Sequence, residues 1–295
     1  MAFNRKVIKM TLVLGGKEES FTSDNKNKLS ATGLRISAEI TNGNGVPSPS
    51  ARVRVYGLPI ETMSKLLRIK WREVTALKNS ITIEAGEQGE DLVTAFKGGI
   101  TFAYPDLAEA PNVSLVITAQ TAVLENMQST AAESYEGSQE VINIMGNICQ
   151  RMGYTLEDNG VNQQLDNVYL CNSDIKKIQW LAESANLDLY VESNHIAVTN
   201  KGQPRKIKIP VITPDTGLIG YPTPTMQGIQ FQCFYDPLIR FGGLVRIKDS
   251  LIDVCNGDWL IYGVRAMLET ESDSARWFMD VAAGARGDNV KYVQR

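Results

Sequence analysis

Several features on which binding or catalytic sites usually depend are scarce in this sequence. It has one histidine, His195, among 295 residues, and its four cysteines are widely spaced with no CxxC pair. The usual clustered zinc signatures are therefore excluded. No apolar run approaches the roughly 20 residues that cross a membrane, and the interrupted stretch Met10–Leu14 is too short for a signal peptide. We expect a protein that has no membrane anchor and is synthesised in a cytoplasm.

A large excess of charge of one sign is also missing. The chain has 30 Lys and Arg against 33 Asp and Glu, a formal net charge of −3. A protein that grips nucleic acid usually shows a basic excess, so this balance argues against that function. With 43% hydrophobic and 21% charged residues, the composition excludes wholesale disorder, collagen and a long coiled coil. At roughly 150 residues per domain, the length predicts two domains or three smaller ones.

The first third of the chain alternates apolar and polar residues with period two, which is typical of half-buried antiparallel strands. The turn-rich segment Thr41–Ser50 predicts a long, exposed hairpin loop. Pro59 then predicts the start of a helix. We interpret residues 1–128 as a small β-barrel or sandwich with one helix. The alternating strands are predicted at Ile8–Leu14, Leu34–Ile40 and Ala51–Val55. The apolar stripe of the helix is Ile60, Met63, Leu66 and Leu67. Further strands are predicted at Ile81–Ala85, Leu92–Ala103 and Val113–Ala119.

Residues 129–202 change to a mixed pattern. Ser138 is a candidate N-cap for a helix that Gly153 ends, and Ser173 is a candidate N-cap for a second helix. A short hairpin is predicted over Leu187–Thr199, with its turn at Glu192–His195. This segment is therefore predicted to be a compact α+β domain inserted between β-rich parts.

Residues 203–295 are predicted to form a second β-domain. The proline-rich stretch 201–228 reads as an extended, strand-poor crossing. Gly99–Ala119 and Gly263–Ala283 can also be superimposed, with the same spacing from the first glycine to the last alanine. They predict two similar hairpins, which duplication and chance explain about equally well. The predicted strands of this part are Ile229–Phe234, Leu244–Lys248, Trp259–Leu268 and Ala275–Ala283.

The search for chemical constellations finds no catalytic, cofactor-binding or metal-binding residue to assign. His195 is interpreted as an exposed turn histidine, because the sequence supplies neither a positioned nucleophile nor an orienting carboxylate. Glu87–Asp91 lacks the ligand spacing of a calcium loop and predicts a hairpin turn. Cys149 and Cys233 are expected in the core, whereas Cys171 and Cys255 are expected to be more exposed.

Two basic clusters could in principle contact nucleic acid. The first surrounds Trp71, which could stack on a base. Solvated or subunit-facing charge is the favoured interpretation of both clusters, given the overall charge balance. Their members are Lys65, Arg68, Lys70 and Arg72 in the first, and Lys201, Arg205, Lys206 and Lys208 in the second.

Three segments carry a resemblance to a known family. Residues 33–66 resemble the strand, long loop, strand and short helix at the N-terminus of baseplate hub proteins of contractile-tailed bacteriophages. Residues 138–156 and 172–198 are similar to the two helices and the hairpin of the family's middle domain. Late-control protein D and the type VI secretion spike hubs are related families. The resemblance extends over most of the chain, but these segments carry it.

The resemblance implies a non-enzymatic virion protein of the tail baseplate that needs no cofactor. Similar hubs form homotrimers in which each subunit supplies two tail-tube-like β-barrels, giving a pseudo-hexameric ring. Such a ring joins the tail tube protein to the central spike protein, contacts other baseplate proteins, and lets DNA pass without specific binding. Thr41–Ser50 and Thr213–Gln227 are candidate contacts between neighbours.

Three alternatives stay open: a hub of a non-viral contractile machine such as a tailocin or secretion system, a cell-wall polysaccharide-degrading enzyme, and a nucleic-acid binder that uses the cluster around Trp71. An enzyme of that class would need two converging carboxylates. A nucleic-acid binder would show salt-dependent DNA affinity.

Overall fold

The computed structural model describes residues 4–15, 27–43, 46–66, 79–108, 110–273 and 275–285. The regular structure is mainly β, with a few helices, as an α+β composition predicts. The chain divides into two compact units. The first comprises the described residues of Met1–Asn42, Ser48–Leu124 and Arg265–Met279. The second comprises those of Gly43–Pro47, Glu125–Val264 and Asp280–Arg295.

The first unit is built on antiparallel strands. They lie in the order β2-β1-β5-β6-β7-β4-β3, and the part of the later strand β17 that belongs to this unit follows β3. The pairings from β2 to β4 are antiparallel. The elements are β1 (Lys6–Val13), β2 (Lys28–Thr32), β3 (Ile36–Gly43), β4 (Val46–Tyr56), α1 (Ile60–Leu66), β5 (Ser80–Glu87), β6 (Val93–Asp106) and β7 (Ser114–Gln120), with α2 (Val123–Met127) at its end.

The period-two alternation is confirmed as the source of this unit's core. In β1 the side chains of Ile8, Met10 and Leu12 are at most 1% exposed, because alternate residues of a strand share one face. The predicted helix begins after Pro59, whose carbonyl accepts the Thr62 amide at 3.0 Å. One member of its predicted apolar stripe is wrong, since Ile60 is 56% exposed.

The long loop predicted over Thr41–Ser50 is wrong in its extent. Strand β3 continues to Gly43, and β4 is already extended from Val46. Proline lacks an N–H but keeps its carbonyl, so it is tolerated where only an acceptor is needed. The Pro49 carbonyl accepts the Thr121 amide at 2.9 Å, which is such a position.

The described part of the second unit contains the end of α2, two longer helices and further strands. Its elements are β8 (Glu133–Glu140), α3 (Val141–Met152), β9 (Thr155–Asp158), β10 (Gln164–Leu170), α4 (Asp174–Ser184), β11 (Leu187–Glu192), β12 (His195–Asn200), β13 (Val211–Ile212), β14 (Leu218–Thr225), β15 (Gly228–Phe234), β16 (Leu244–Ile247), β17 (Gly257–Thr270) and β18 (Trp277–Ala285). The last two strands also extend into the first unit.

Three groups of strands organise this unit. Strand β12 pairs antiparallel with β11 and parallel with β9, and helices α3 and α4 contact this sheet and each other. Strands β8 and β10 form a separate antiparallel ribbon. The remaining strands of the unit lie in the order β14-β15-β18-β17, and β16 pairs with both β17 and β13. The predicted hairpin over Leu187–Thr199 and the four predicted C-terminal strands are confirmed.

The helix boundaries agree only in part with their predicted caps. Gly153 ends α3 in the left-handed region at φ 72°, and Ser173 is the N-cap residue of α4. Ser138 is wrong as an N-cap, because it lies in β8 and bonds Gln164 through its hydroxyl at 3.0 Å. Most residues of strand β8 face solvent, so the strand has no alternation of apolar and polar residues. The sequence analysis therefore did not predict this strand.

The strand-poor interpretation of residues 201–228 is also wrong. Strands β13 and β14 lie within it, and β14 pairs with β15 despite its two prolines, Pro222 and Pro224. An outer strand can carry proline because one side of its backbone needs no donor. The two segments that could be superimposed in the sequence both form hairpins, β6–β7 and β17–β18. Across the described ranges, no helix combines the length and apolar character needed to cross a membrane.

Candidate functional site

A buried arginine connects distant segments of the second unit. The side chain of Arg205 is 0% exposed, and its Nε and Nη2 donate to the two carboxylate oxygens of Glu157 at 3.0 and 2.8 Å. Its Nη1 donates to the Phe241 carbonyl at 3.0 Å and lies 3.0 Å from Glu192 Oε1. Glu157 lies on β9 and Glu192 ends β11, whereas Phe241 precedes β16. One guanidinium therefore fastens the three-stranded sheet to the segment that leads into β16.

His195 belongs to the same cluster, so its interpretation as an exposed turn histidine is wrong. Its side chain is 29% exposed, with Nε2 2.9 Å from Glu157 Oε2 and Nδ1 2.7 Å from Thr155 Oγ1. The parallel register pairs His195 with Thr155. Residues i and i+2 of a strand share a face, so Thr155 and Glu157 point the same way and both reach the imidazole.

The hydrogen bonds and ion pairs of this Arg205 cluster keep its charged groups ionised. Burial raises the pKa of Glu157, but hydrogen bonds from Arg205, Asn159 and His195 outweigh it and hold that pKa at about 2. Burial likewise lowers the pKa of Arg205, whereas Glu157 and Glu192 raise it and give a net increase. Both groups stay ionised at neutral pH. A carboxylate held in this way orients its neighbours and does not readily exchange a proton with a substrate.

A second buried cation organises the two helices. The ammonium of Lys177 on α4 is 0% exposed and donates to the Ala131 carbonyl at 2.6 Å and to Glu133 Oε1 at 2.7 Å. Arg151 on α3 donates to both oxygens of Asp174 at 3.0 and 2.7 Å, and to Glu133 at 2.9 Å. These contacts join α3, α4 and the start of β8.

The sequence analysis missed this Lys177 cluster. Burial raises the pKa of Asp174 and of Glu133, but the hydrogen bonds from the cations outweigh it and lower both pKa values. A signal was present in the sequence, because Asp174 lies four residues before Ile178 and Lys177 lies four residues before Leu181, on the apolar stripe of α4. Charged residues at those positions must be buried with partners.

The two predicted basic clusters have different outcomes. The first, around Trp71, falls outside the described residues apart from the backbone of Lys65 in α1. In the second, Lys201, Lys206 and Lys208 are exposed, as solvated charge predicts, and Lys201 is 2.6 Å from Asp188. Arg205 contradicts that interpretation because it is buried.

Three of the four cysteine predictions are confirmed. Cys149 and Cys233 are buried, and burial raises their pKa values to about 11 and about 12, respectively. Cys171 is exposed. The prediction that Cys255 is more exposed is wrong, because this residue is 0% exposed and its Sγ is 3.8 Å from the Pro222 carbonyl oxygen.

The acidic run forms the predicted hairpin turn between β5 and β6, and it borders a cavity in the first unit. The cavity has a volume of about 350 Å³, and its apolar lining includes Val7 and Leu92. Its charged lining residues are Arg5, Glu87, Glu90 and Glu271, and Arg5 lies 2.5 Å from Glu271. In the part of the chain that the structure describes, no three His, Cys, Asp or Glu residues are grouped so as to hold a metal ion.

Comparison with known proteins decides the family. The model of the family described as baseplate hub gp41 matches residues 8–281. The chain belongs to the baseplate hub gp41 family. The resemblance to baseplate hubs found in the sequence is therefore confirmed, and this gp41-family chain has a structural role of the tail or baseplate kind.

Solved structures with a similar fold include two tail proteins and a component of the type VI secretion system. The 43 kDa tail protein of prophage MuSo2 from Shewanella oneidensis has a TM-score of 0.60 at 12% identity, over 95% of this chain and 97% of that chain. A tail protein from Neisseria meningitidis MC58 has a TM-score of 0.59 at 9% identity, over the same shares. The E. coli c3393 protein, a component of the type VI secretion system, has a TM-score of 0.55 at 11% identity, over 86% and 76%. No curated protein matches the gp41-family sequence.

Proposed function

We propose that this chain is the hub subunit that trimerises into a pseudo-hexameric ring joining the tail tube to the central spike. The observation that carries the proposal is the extent of the family match, which spans residues 8–281 and so covers both compact units. A match to one isolated domain would be compatible with many functions. A match over nearly the whole chain supports the proposal that the complete hub architecture is present.

The buried charges support a role that depends on rigid surfaces. The Arg205 and Lys177 clusters use cations that are 0% exposed to hold segments of the second unit together. Because a buried ion pair often adds little net stability, we propose that these pairs serve to fix geometry. A subunit that acts through repeated surfaces needs a fixed shape and interface area rather than a catalytic cleft. The function proposed here is accordingly not enzymatic and uses no cofactor.

The proposed domain division follows the same architecture. Residues 1–128 would form the first tube-like β-barrel, residues 129–202 the inserted α+β domain, and residues 203–295 the second tube-like β-barrel. Three such subunits present six related barrels to the tail tube protein and threefold symmetry to the spike. Thr41–Ser50 and Thr213–Gln227 remain the candidate contacts between neighbours.

The ring would stand in the virion baseplate and contact further baseplate proteins there. Its channel would let DNA pass without specific binding. The formal charge of −3 supports transit, because a protein that retains DNA neutralises phosphates with a basic surface. Retention would appear as DNA affinity that falls steeply as salt is added.

A hub of a non-viral contractile machine is the second candidate. It is favoured by the fold likeness to the type VI secretion component from E. coli. Mass spectrometry of purified particles separates the two: a chain found in DNA-filled virions is a phage hub, whereas one found in particles without a capsid belongs to such a machine.

Light scattering at low micromolar concentration tests the proposal, with the chain alone and with the purified spike protein of the same phage. We expect a mass of three 32.5 kDa chains, either alone or when the spike is added. A chain that stays monomeric in both conditions, at every concentration, would refute trimerisation. Lysozyme-sized globular protein in place of the spike is the control for non-specific association.

A further inference from the structure

The ribbon of β8 and β10 leaves one of its faces in solvent. Its antiparallel register places Asp166 opposite Ser138 and Gln164 opposite Glu140, and all four residues are exposed. Residues that lie opposite each other share a face of the ribbon, so these side chains form one surface. Tyr169 of the same ribbon is 61% exposed, and tyrosine is enriched at protein interfaces. A two-stranded ribbon is only marginally stable by itself in water, so a further contact would stabilise it.

The exposed charges of the ribbon all have one sign. Glu136, Glu140 and Asp166 are exposed, and β8 and β10 contain no lysine or arginine. Glu140 accepts the Asn143 side-chain amide at 2.8 Å. Within the described ranges, neither Glu136 nor Asp166 has an ion-pair partner. We name Glu136, Glu140 and Asp166 the acidic ribbon, and its carboxylates lack a cationic partner.

The segment that follows β12 carries the opposite charge. Residues 201–208 include no Asp or Glu, and Lys206 and Lys208 are exposed. The other two cations of the segment, Lys201 and Arg205, already have carboxylate partners. In the part of the chain that the structure describes, Lys206 and Lys208 have no ion-pair partner. We name these two residues the lysine pair.

The acidic ribbon and the lysine pair border the same loop. Residues 159–163 join β9 to β10. The Lys206 amide donates to Asn159 Oδ1 at 2.6 Å, and Gln163 Nε2 donates to Asn200 Oδ1 at 2.6 Å. Opposite charges that border one edge of a subunit can meet those of neighbouring copies when that edge points towards a rotation axis.

We propose that the acidic ribbon of one copy binds the lysine pair of the next copy, so that three such contacts close around a threefold axis. Each copy then supplies carboxylates to one neighbour and lysines to the other, which is a heterologous contact that closes into a ring. Complementary charges across an interface fix which surfaces meet and in which register. The inference rests on the proposed function, because it names a contact within the proposed trimer.

Other occupants fit these charges less well. Nucleic acid would be repelled, because its phosphates have the same sign of charge as the acidic ribbon. A different protein with a basic surface could bind the carboxylates, but it would leave the lysine pair without a partner. A second copy satisfies both surfaces in one arrangement.

Charge reversal with sedimentation velocity tests the contact, in whichever condition of the light-scattering experiment gives the wild-type trimer. The acid-reversed variant is Glu136→Lys with Asp166→Lys, and the base-reversed variant is Lys206→Glu with Lys208→Glu. Each places like charges across the contact. We expect the concentration at which half of the trimer dissociates to rise at least about tenfold, with a larger rise at low salt. The variant with all four changes restores opposite charges and should recover most of the wild-type association.

Matched controls change the same charges elsewhere in the second unit. Asp249→Lys with Asp253→Lys is the control for the acid-reversed variant, and Lys176→Glu with Lys248→Glu is the control for the base-reversed variant. All four residues are exposed. We expect each control to change the dissociation concentration by less than about twofold. An unchanged melting temperature shows that each variant is folded.

A mixture of the two reversed variants reports the symmetry of the contact. In a ring of three the two variants cannot alternate, so at least one like-charged contact remains. The mixture should therefore recover less association than the variant with all four changes. In a twofold dimer every contact of a mixed pair would be attractive, so a mixture that forms a dimer of full strength would overturn the threefold contact.

The remaining outcomes separate the inference from the proposed function. If both reversed variants of a trimeric wild type dissociate no more than their controls, the inference is refuted but the hub stays intact. A variant with all four changes that is as weak as the reversed variants would show that the two surfaces do not meet. A loss that appears only in binding to the spike protein would identify another protein as the occupant and refute the inference. A wild type that stays monomeric in both conditions would overturn both proposals.

Discussion

Replacing Arg205 by methionine would remove the cation shared by Glu157 and Glu192. Methionine keeps much of the aliphatic volume but leaves both carboxylates and the Phe241 carbonyl without the guanidinium donors that they now share. His195 would remain as one partner of Glu157. We expect a large loss of stability that is confined to the second unit.

The magnitude follows from burial. Removing one partner of a buried ion pair costs about 3–5 kcal/mol, because the remaining charge is left uncompensated. The Glu157 and Glu192 side chains are 20% and 18% exposed, so water can reach them in part and the lower end applies. A loss of about 3 kcal/mol in a unit of this size lowers its melting temperature by roughly 6–12 °C.

The assay must resolve the two units, since a chain with two units need not unfold in one step. Calorimetry gives the shift, and amide hydrogen exchange localises it. Faster exchange is expected for the Asn159 amide, which donates to the Val198 carbonyl at 3.2 Å, and unchanged exchange for β1 in the first unit. Lys201→Met is the matched control, because Lys201 is 62% exposed and its pair with Asp188 is worth less than about 1 kcal/mol.

Two results would refute this reasoning. The first is a loss below about 1 kcal/mol, or one no larger than that of Lys201→Met. The second concerns the triple variant Glu157→Gln, Glu192→Gln and Arg205→Met. Because the triple variant removes the buried charges together, it should regain part of the lost stability. A triple variant less stable than Arg205→Met would show that the cost comes from lost packing rather than from uncompensated charge.

Three further predictions follow from other contacts. The pKa of Glu157 is about 2 in the folded protein and about 4.3 in the unfolded chain, so the stability that its ionised form adds is complete above pH ~4.3 and is lost as the pH falls towards 2. Urea unfolding across this pH window should therefore show a smaller acid-induced loss of unfolding free energy for Glu157→Gln than for the wild type. Chemical denaturation should show that Gly242→Ala destabilises the protein by more than about 2 kcal/mol, because the new Cβ would meet the Tyr190 ring at 2.4 Å. Gly202→Ala has a similar positive φ but open space around the new Cβ, so it should cost only about 1 kcal/mol. A thiol reagent should modify Cys171 rapidly in the folded protein and the other three cysteines only on unfolding, so a native mass spectrum with more than one fast adduct would contradict their burial.

The β-rich character was predictable because it depends on the spacing of apolar residues along a few neighbouring positions. Alternation in Ile8, Met10 and Leu12 places every second side chain on one face whatever the strand later pairs with. Gly153 ended its helix as predicted for the same reason, since a left-handed C-terminal position favours glycine by local sterics alone. Strands without that spacing, such as β8 and β14, were missed or taken for loops.

The buried charges were not predictable in this way. Arg205 lies in a run with three lysines, and nothing within that run distinguishes it from them. Its burial depends on carboxylates 48 and 13 residues away that reach it only after β9 and β11 have paired with β12. Cys255 was misjudged similarly, because its cover is Pro222 on a strand 33 residues earlier.

The sequence alone therefore determined the strand-rich class, both main helices and the likeness to a hub family, because periodicity and turn chemistry act over a few residues. Which polar side chains are buried, and which apolar ones stand in solvent as Tyr169 does, was decided by the tertiary structure. The reason is that burial is a property of the segments that meet, and the chain brings together residues that no local pattern relates.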